Sequence, residues 1–197
     1  AHTLHYPELT QDLAATMGSG QRIEKEVRGL NGQHYLVRML PYRVPSSASL
    51  GAVASFLDVS ALHEVTRLQE IIDALVEQVA VLDAQGTITV VNRAWREFAA
   101  ANGDPTMSFT GPGMNYLDIC EPAATQGDDT AAQVAQGLRA VLSGQTRHFS
   151  IEYPCHSPTE ERWFVMHLAA VAGEHPGAVA SHIDITAWRR KRASTAP

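Results

Sequence analysis

The feature that most constrains the fold is a sequence that occurs twice. Residues 51–60 are GAVASFLDVS and residues 177–186 are GAVASHIDIT, so the five leading residues and the Asp at the eighth position are shared. The match extends backwards, because both copies begin with Ser-Gly-Gln, at Ser19 and at Ser143. An internal repeat over roughly 40 residues predicts that the two regions share one structural unit.

Each copy predicts a meander of three strands. In the second copy, Phe149, Ile151 and Tyr153 alternate with polar residues, which is the period of a half-buried strand. Glycine and proline then mark the turns into two further strands, and a helical spacing of apolar residues precedes each copy. The corresponding strands of the first copy are expected at Ile23–Arg28, Tyr35–Tyr42 and Ala52–Leu57.

The second copy is longer at its amino-terminal side. The segment VAVLDAQGTITVVN, residues 79–92, predicts two short strands around an Asp-x-x-Gly turn, followed by a helix over 93–101. The first copy has no such hairpin. We therefore expect the C-terminal half of a domain over 1–60, a complete domain over 70–187 and a basic tail over 188–197.

The segment between the copies predicts a helix over 61–79 that joins them. Its apolar residues are spaced alternately by three and four positions, which is typical of a coiled-coil seam of about two heptads. The alternative is an amphipathic helix that packs on its own domain. The seam would consist of Val65, Leu68, Ile72, Leu75 and Val79.

Composition excludes several classes of function. The 197 residues are 45% hydrophobic and 18% charged with a net charge of −6, which gives no reason to expect nucleic acid as a partner. Only two cysteines are present, which predicts a reduced, cytoplasmic environment without a disulfide framework. No apolar run approaches the length of about 20 residues that a membrane helix needs, so we expect no membrane insertion.

The order of these elements resembles the PAS sensory domain. The resemblance covers the second copy in full and the second half of another such domain in the first copy. It implies an α+β fold with a five-stranded antiparallel sheet and flanking helices. The residues that carry it are Asp83, Gly86, Ile88, Val91, Asn92, Trp95, Phe98, Gly144, Gly177 and the Asp184-Ile185-Thr186 ending.

The segment YLVRMLPYR, residues 35–43, is similar to PAS modules attached to chemotaxis-type methyltransferases and to sensor histidine kinases. The resemblance therefore implies a sensor or a dimerising relay beside an output domain in a bacterial-type signalling protein. No catalytic motif of either enzyme is found, and no nucleophile–base pair can be named from spacing. We expect a homodimer without catalytic activity of its own.

The cofactor is not determined by the sequence. A flavin photosensor of the PAS superfamily has Asn-Cys-Arg-Phe-Leu, whereas this chain has GMNYLDIC with Cys120 displaced, so flavin is not expected. Haem-binding PAS domains usually supply a histidine from the helical segment, and none of the nine histidines lies between Arg93 and Arg147. Haem is therefore not expected either.

The loop YPCHSPTEERWF, residues 153–164, places Cys155 beside His156. Together with Cys120 these side chains are candidates for a metal site or a redox-sensitive thiol, since an imidazolium favours the thiolate. The alternative is a stiff turn in which Cys155 packs as a small apolar residue.

Large side chains could line a small-molecule pocket between sheet and helices, or could simply fill the core. The candidate lining residues are Asn92, Trp95, Tyr116, Cys120, Trp163 and Phe164. Signal relay is expected at the strand ends, through Asp58, Asp184 and Thr186. The sequence thus predicts a sensory relay module, with a ligand-free dimerisation module and a thiol or metal sensor as alternatives.

Overall fold

The computed structural model describes residues 4–43, 50–156 and 160–195. These residues form two compact units, one over 1–68 and the other over 69–197.

The first unit is a helix followed by a three-stranded meander. Helix α1 (Leu9–Ser19) precedes strands β1 (Ile23–Arg28), β2 (His34–Arg43) and β3 (Leu50–Asp58). The strands are antiparallel in the order β1-β2-β3. Val37 and Met39 of β2 are buried on the same face as expected from alternation along a strand, and α1 packs against β2 and β3.

Helix α2 (Ser60–Asp73) follows the meander and is shorter than expected. The prediction of a helix to residue 79 is wrong, because Leu75 lies beyond the helix and Val79 is buried in a strand. A side chain from outside the helix binds backbone carbonyls at its end and just beyond it. The side-chain amide of Asn92 donates to the carbonyls of Ile72 and Leu75 and to that of Glu77, at 3.1, 3.5 and 2.8 Å.

The remaining residues of the predicted seam lie on α2. Val65 is 65% exposed and Leu68 is 54% exposed, whereas Ile72 is half-buried. Only three of the five predicted seam residues therefore lie on one helix.

The second unit contains a five-stranded antiparallel sheet in the order β5-β4-β8-β7-β6, which confirms the predicted fold. Three helices (α3, α4 and α5) connect the hairpin to the second meander, and a sixth helix (α6) follows the last strand. The bounds are β4 (Gln78–Asp83), β5 (Ile88–Val91), α3 (Arg93–Ala101), α4 (Tyr116–Thr125), α5 (Asp129–Leu142), β6 (His148–Pro154), β7 (Trp163–Val171), β8 (Gly177–Asp184) and α6 (Thr186–Thr195).

The core of this unit lies between the sheet and α3–α5. On β7, Phe164, Met166 and Leu168 are buried, as the period of a strand requires. Met166 and Leu168 share one core cluster with Leu138 and Val141 of α5. Among the described residues, no helix has both the length and the apolar character that crossing a membrane requires.

Local contacts stabilise the β4–β5 turn and the position of α6 in the second unit. Asp83 accepts from the backbone N–H groups of Gln85 and Thr87, and Gly86 has a φ of 85°, so the predicted Asp-x-x-Gly turn is formed. The segment expected as a basic tail is instead largely helical, because α6 continues to Thr195. Arg189 on α6 lies 3.7 Å from the ring centroid of Trp163, which holds the helix against β7.

Candidate functional site

Three polar side chains meet inside the second unit. His182 on β8 is 7% exposed, and its Nε2 lies 3.1 Å from the hydroxyl oxygen of Tyr116. Its Nδ1 lies 2.5 Å from the hydroxyl oxygen of Tyr153. Both nitrogens of a buried imidazole are thus hydrogen-bonded within the core. We call Tyr116, Tyr153 and His182 the polar trio.

Three separate elements position the polar trio. Tyr116 begins α4, whose N-terminus is capped by the side chain of Asn115. Tyr153 lies on β6, and His182 lies on β8 with Ala178 and Ala180 on the same buried face. The trio therefore depends on the register of the sheet as well as on the start of α4.

Burial keeps the polar trio uncharged. It lowers the pKa of His182 from 6.5 to about 4 and raises the pKa values of both Tyr116 and Tyr153. At neutral pH the imidazole therefore has one N–H donor and one bare nitrogen. One tyrosine hydroxyl donates to the ring and the other accepts from it.

Two cavities border the polar trio. The first has a volume of about 200 Å³ and is lined mainly by apolar groups of α3 and α4, including Trp95, Phe98 and Ala99. The second has a volume of about 310 Å³ and includes Cys120 and Met166 in its lining. All three members of the trio line both cavities, so a molecule in either cavity would contact them.

Two residues that line the first cavity, Trp95 and Asp104, are held in place by hydrogen bonds. The Trp95 ring lies edge-on to His182 with centroids 5.4 Å apart, and its Nε1–H donates to the carbonyl of Thr110 at 2.9 Å. Asp104 accepts from the backbone N–H groups of residues 108–110 and from the Thr110 hydroxyl. Desolvation raises the pKa of this carboxyl, but the hydrogen bonds outweigh it and the pKa lies below its usual value.

Asn92 is a structural centre, not part of the cavity lining. Its side chain is fully buried, and its Oδ1 accepts from the N–H groups of Val79 and Trp95 at 2.9 and 3.0 Å. Its amide nitrogen donates to the carbonyls at the end of α2, as described above. One side chain therefore joins the end of α2, strand β4 and the first turn of α3.

The other predicted lining residues lie in different surroundings. Trp95 and Tyr116 line the first cavity, whereas Cys120 lines the second. Phe164 packs in the core between the rings of Phe98 and Tyr153, with centroids 5.7 and 5.9 Å away. Trp163 points to the opposite face of β7, where Arg189 covers it.

The predicted metal or redox residues do not form a three-ligand cluster. Within the described part of the chain, a set of three ligand groups within 4.8 Å of one another occurs elsewhere and does not contain Cys120, Cys155 or His156. His156 Nδ1 instead accepts from the backbone N–H of Arg162. Burial raises the pKa of Cys120 to about 11, so its thiolate is disfavoured.

The predicted relay residues form equivalent turns in the two repeats. Asp58 accepts from the N–H of Ser60 at 2.9 Å, and Asp184 accepts from the N–H of Thr186 at 2.8 Å. The Thr186 hydroxyl also accepts from the N–H of Trp163 at 2.9 Å. Each turn thus connects the last strand of a meander to the helix that follows.

Sequence reasoning missed Tyr153 and His182 as site residues. One signal was available in the repeat, because His182 occupies the position that Phe56 has in the first copy. An imidazole at a position that is otherwise apolar is a candidate for a buried polar site.

Known proteins resemble this chain along most of its length. The family described as PAS fold matches residues 72–190, and the family described as PAS domain matches residues 1–60. A relative from Rhodobacter capsulatus, described as an uncharacterized 104.1 kDa protein in the hypE 3' region, is 51% identical over 191 residues. The match covers 96% of this chain and 20% of the relative, so the chain spans about a fifth of that protein.

Two solved PAS domains are among the structures that match this chain. One, from a protein of Colwellia psychrerythraea, is 16% identical, with 63% of this chain and 98% of that chain covered and a TM-score of 0.44. The other, from Bordetella pertussis BvgS, is 15% identical, with coverage of 67% and 96% and a TM-score of 0.46.

The chain belongs to the PAS domain family. Membership of this family of sensory domains supports a role in signal sensing.

Proposed function

We propose that the chain is a regulatory, non-catalytic sensory module whose second unit binds a small, uncharged molecule beside the polar trio. The observation that carries this proposal is the placement of Tyr116, Tyr153 and His182 on the linings of two cavities. Each tyrosine hydroxyl makes one hydrogen bond to His182 and keeps further hydrogen-bonding capacity, which can orient a bound molecule. A charged ligand would lose its hydration against a mainly apolar lining, so a neutral one is favoured.

Asn92 supports a path from the cavity to the connecting helix. Trp95 lines the first cavity, and its backbone N–H is bound by the Asn92 side chain. The amide of the same side chain holds the carbonyl of Ile72 at the end of α2. A ligand that shifts Trp95 would therefore bias the end of α2, given a small energy difference between two helix arrangements, on the order of a few kcal/mol.

The turns at Asp58 and Asp184 complete the proposed relay. They carry a change in either meander into α2 and α6, respectively. We further propose that the output is a separate domain of a longer bacterial-type signalling protein in the cytoplasm. The size of the Rhodobacter capsulatus relative and the low cysteine content support these two parts of the proposal.

The test is ligand capture from a deproteinised bacterial extract. The chain is incubated with the extract and filtered, and the small molecules released on denaturation are identified by mass spectrometry. Ala99→Leu fills the first cavity, and Ala100→Leu alters the neighbouring exposed position of α3 as a control. We expect one neutral compound to be retained by the natural chain and by Ala100→Leu, but lost in Ala99→Leu.

Equal retention by all three chains would contradict binding at the first cavity. Retention by none would favour the second candidate function, a ligand-free dimerisation module.

The exposed apolar surface of α2 favours this second candidate. Leu62, Val65, Leu68 and Ile71 are all more than half exposed on one helix, and such surface is typical of an interface between copies. Leu68→Asp should convert a dimer to a monomer in light scattering, whereas Thr66→Asp, at an exposed polar position of the same helix, should not. A monomeric natural chain would contradict dimerisation without affecting the ligand proposal.

A further inference from the structure

Two histidines and a glutamate converge in the first unit, far in sequence from the polar trio. They are Glu26 on β1, His34 at the start of β2 and His63 in the first turn of α2. Their ligand atoms all lie within 4.8 Å of one another. Nε2 of His63 lies 3.0 Å from Oε2 of Glu26, and the two imidazole rings are stacked with centroids 4.0 Å apart.

The fold of the meander brings these side chains together. Glu26 pairs with Leu36 and Arg28 pairs with His34, so Glu26 and His34 are diagonal neighbours on the same face of the β1–β2 hairpin. The backbone N–H of His34 donates to the Ser60 hydroxyl at 2.9 Å, and its carbonyl accepts from the N–H of Val59 at 2.8 Å. The start of α2 is therefore fixed beside His34, one turn before His63.

The donor set is one that zinc accepts. Two imidazole nitrogens and one carboxylate oxygen are ligands of Zn²⁺ and related transition metals, whereas Mg²⁺ and Ca²⁺ prefer oxygen alone. Ligand atoms around a tetrahedral Zn²⁺ lie roughly 3 to 3.5 Å apart, given the usual zinc–ligand distances. The separation of 3.0 Å between His63 and Glu26 fits this, and the remaining ligand atoms lie within 4.8 Å. Because the two imidazole rings are stacked, both rings must turn on metal binding so that one nitrogen of each points at the ion.

The surroundings leave room for such a site. His34 and His63 are half-buried and Glu26 is exposed, so an ion could enter from solvent and keep a water molecule at its fourth position.

We propose that Glu26, His34 and His63 bind one divalent transition-metal ion of the Zn²⁺ class, which clamps the β1–β2 hairpin to the first turn of α2. Because α2 ends at the carbonyls that Asn92 holds, a metal at its first turn would act on the same helix as the proposed relay. The proposal itself does not depend on a ligand in the second unit.

The test is titration of the full chain with Zn²⁺ after removal of metals with a chelator. Calorimetry should give one Zn²⁺ per chain. His34→Ala and His63→Ala should each lower the affinity by at least about tenfold, since even outer-shell changes cost that much. His148→Ala, which removes an exposed histidine of the second unit, is the matched control and should bind as the natural chain does.

Glu26→Gln is a second variant that changes an exposed side chain and leaves both histidines in place, and it should also weaken binding. Absence of saturable Zn²⁺ binding, or equal affinity in all variants, would overturn the proposal. Binding that survives His63→Ala but is lost in Cys155→Ser would overturn it as well and assign the metal to the second unit. Binding of Mg²⁺ as tightly as Zn²⁺ would contradict the inferred donor chemistry.

Discussion

The burial of His182 makes a quantitative prediction about acid stability. The pKa of this imidazole is about 4 in the folded chain, against an ordinary value of 6.5. Between these pH values the unfolded chain binds a proton at His182 that the folded chain does not. The contribution of this group to the free energy of unfolding is therefore fully present above pH 6.5 and is lost as the pH falls towards 4. The loss from this one group is about 2 kcal/mol at pH 5 and about 3 kcal/mol at pH 4.

The perturbation that isolates this contribution is His182→Gln. Glutamine keeps a donor and an acceptor but does not titrate. Between pH 7 and pH 4, the free energy of unfolding of the variant should therefore decrease by about 3 kcal/mol less than that of the natural chain. Its stability at pH 7 can fall without affecting the comparison. His167→Gln removes an exposed histidine from the same sheet and should keep the pH dependence of the natural chain.

The assay is urea unfolding followed by tryptophan fluorescence at several pH values. All three tryptophans, at positions 95, 163 and 188, belong to the second unit, so the signal reports that unit alone. A pH dependence that is the same in His182→Gln and in the natural chain would refute the conclusion that this imidazole is buried and neutral.

Three further predictions concern other features of the second unit. Asn92→Ala should lower the free energy of unfolding by about 3 kcal/mol or more in the same urea assay, since it leaves several buried backbone groups unpaired. Gly177→Ala should lower the free energy of unfolding by about 3 kcal/mol, because a Cβ there would lie 2.0 Å from the backbone oxygen of Leu82. An unchanged midpoint of the urea transition would contradict this. In thiol labelling at neutral pH, Cys155 should react before Cys120, whose pKa is about 11; equal rates would contradict the burial of Cys120.

The parts of the fold that could be predicted from the sequence rest on local patterns. The alternation of apolar residues at 149–153 predicted β6, and the Asp83–Gly86 turn predicted the β4–β5 hairpin. The repeat then extended the three-stranded meander to residues 23–58. These signals depend on neighbours in sequence, which is why a single chain sufficed to find them.

The features that were missed depend on groups that meet only in the folded chain. Helix α2 ends at Asp73, where the side-chain amide of Asn92, about twenty residues later, binds the carbonyl of Ile72. Tyr153 reaches His182 through the packing of β6, β7 and β8, which no spacing in the sequence reveals. The same holds for Glu26 and His63, which are 37 residues apart.

The proposed site differs from the predicted one for a similar reason. Of the predicted lining residues, Trp95, Tyr116 and Cys120 border the two cavities, and Asn92 serves as a hydrogen-bonded junction instead. An aromatic or amide residue in a sequence does not disclose whether it lines a cavity or fills the core. That distinction depends on how neighbouring helices pack.

Native mass spectrometry of the purified chain tests directly whether the second unit binds a small molecule beside the polar trio. The spectrum at neutral pH is compared with the spectrum after denaturation. We expect an additional small mass on the folded chain that is released on unfolding. A folded chain with the mass of the bare polypeptide, even after incubation with the extract, would contradict such binding.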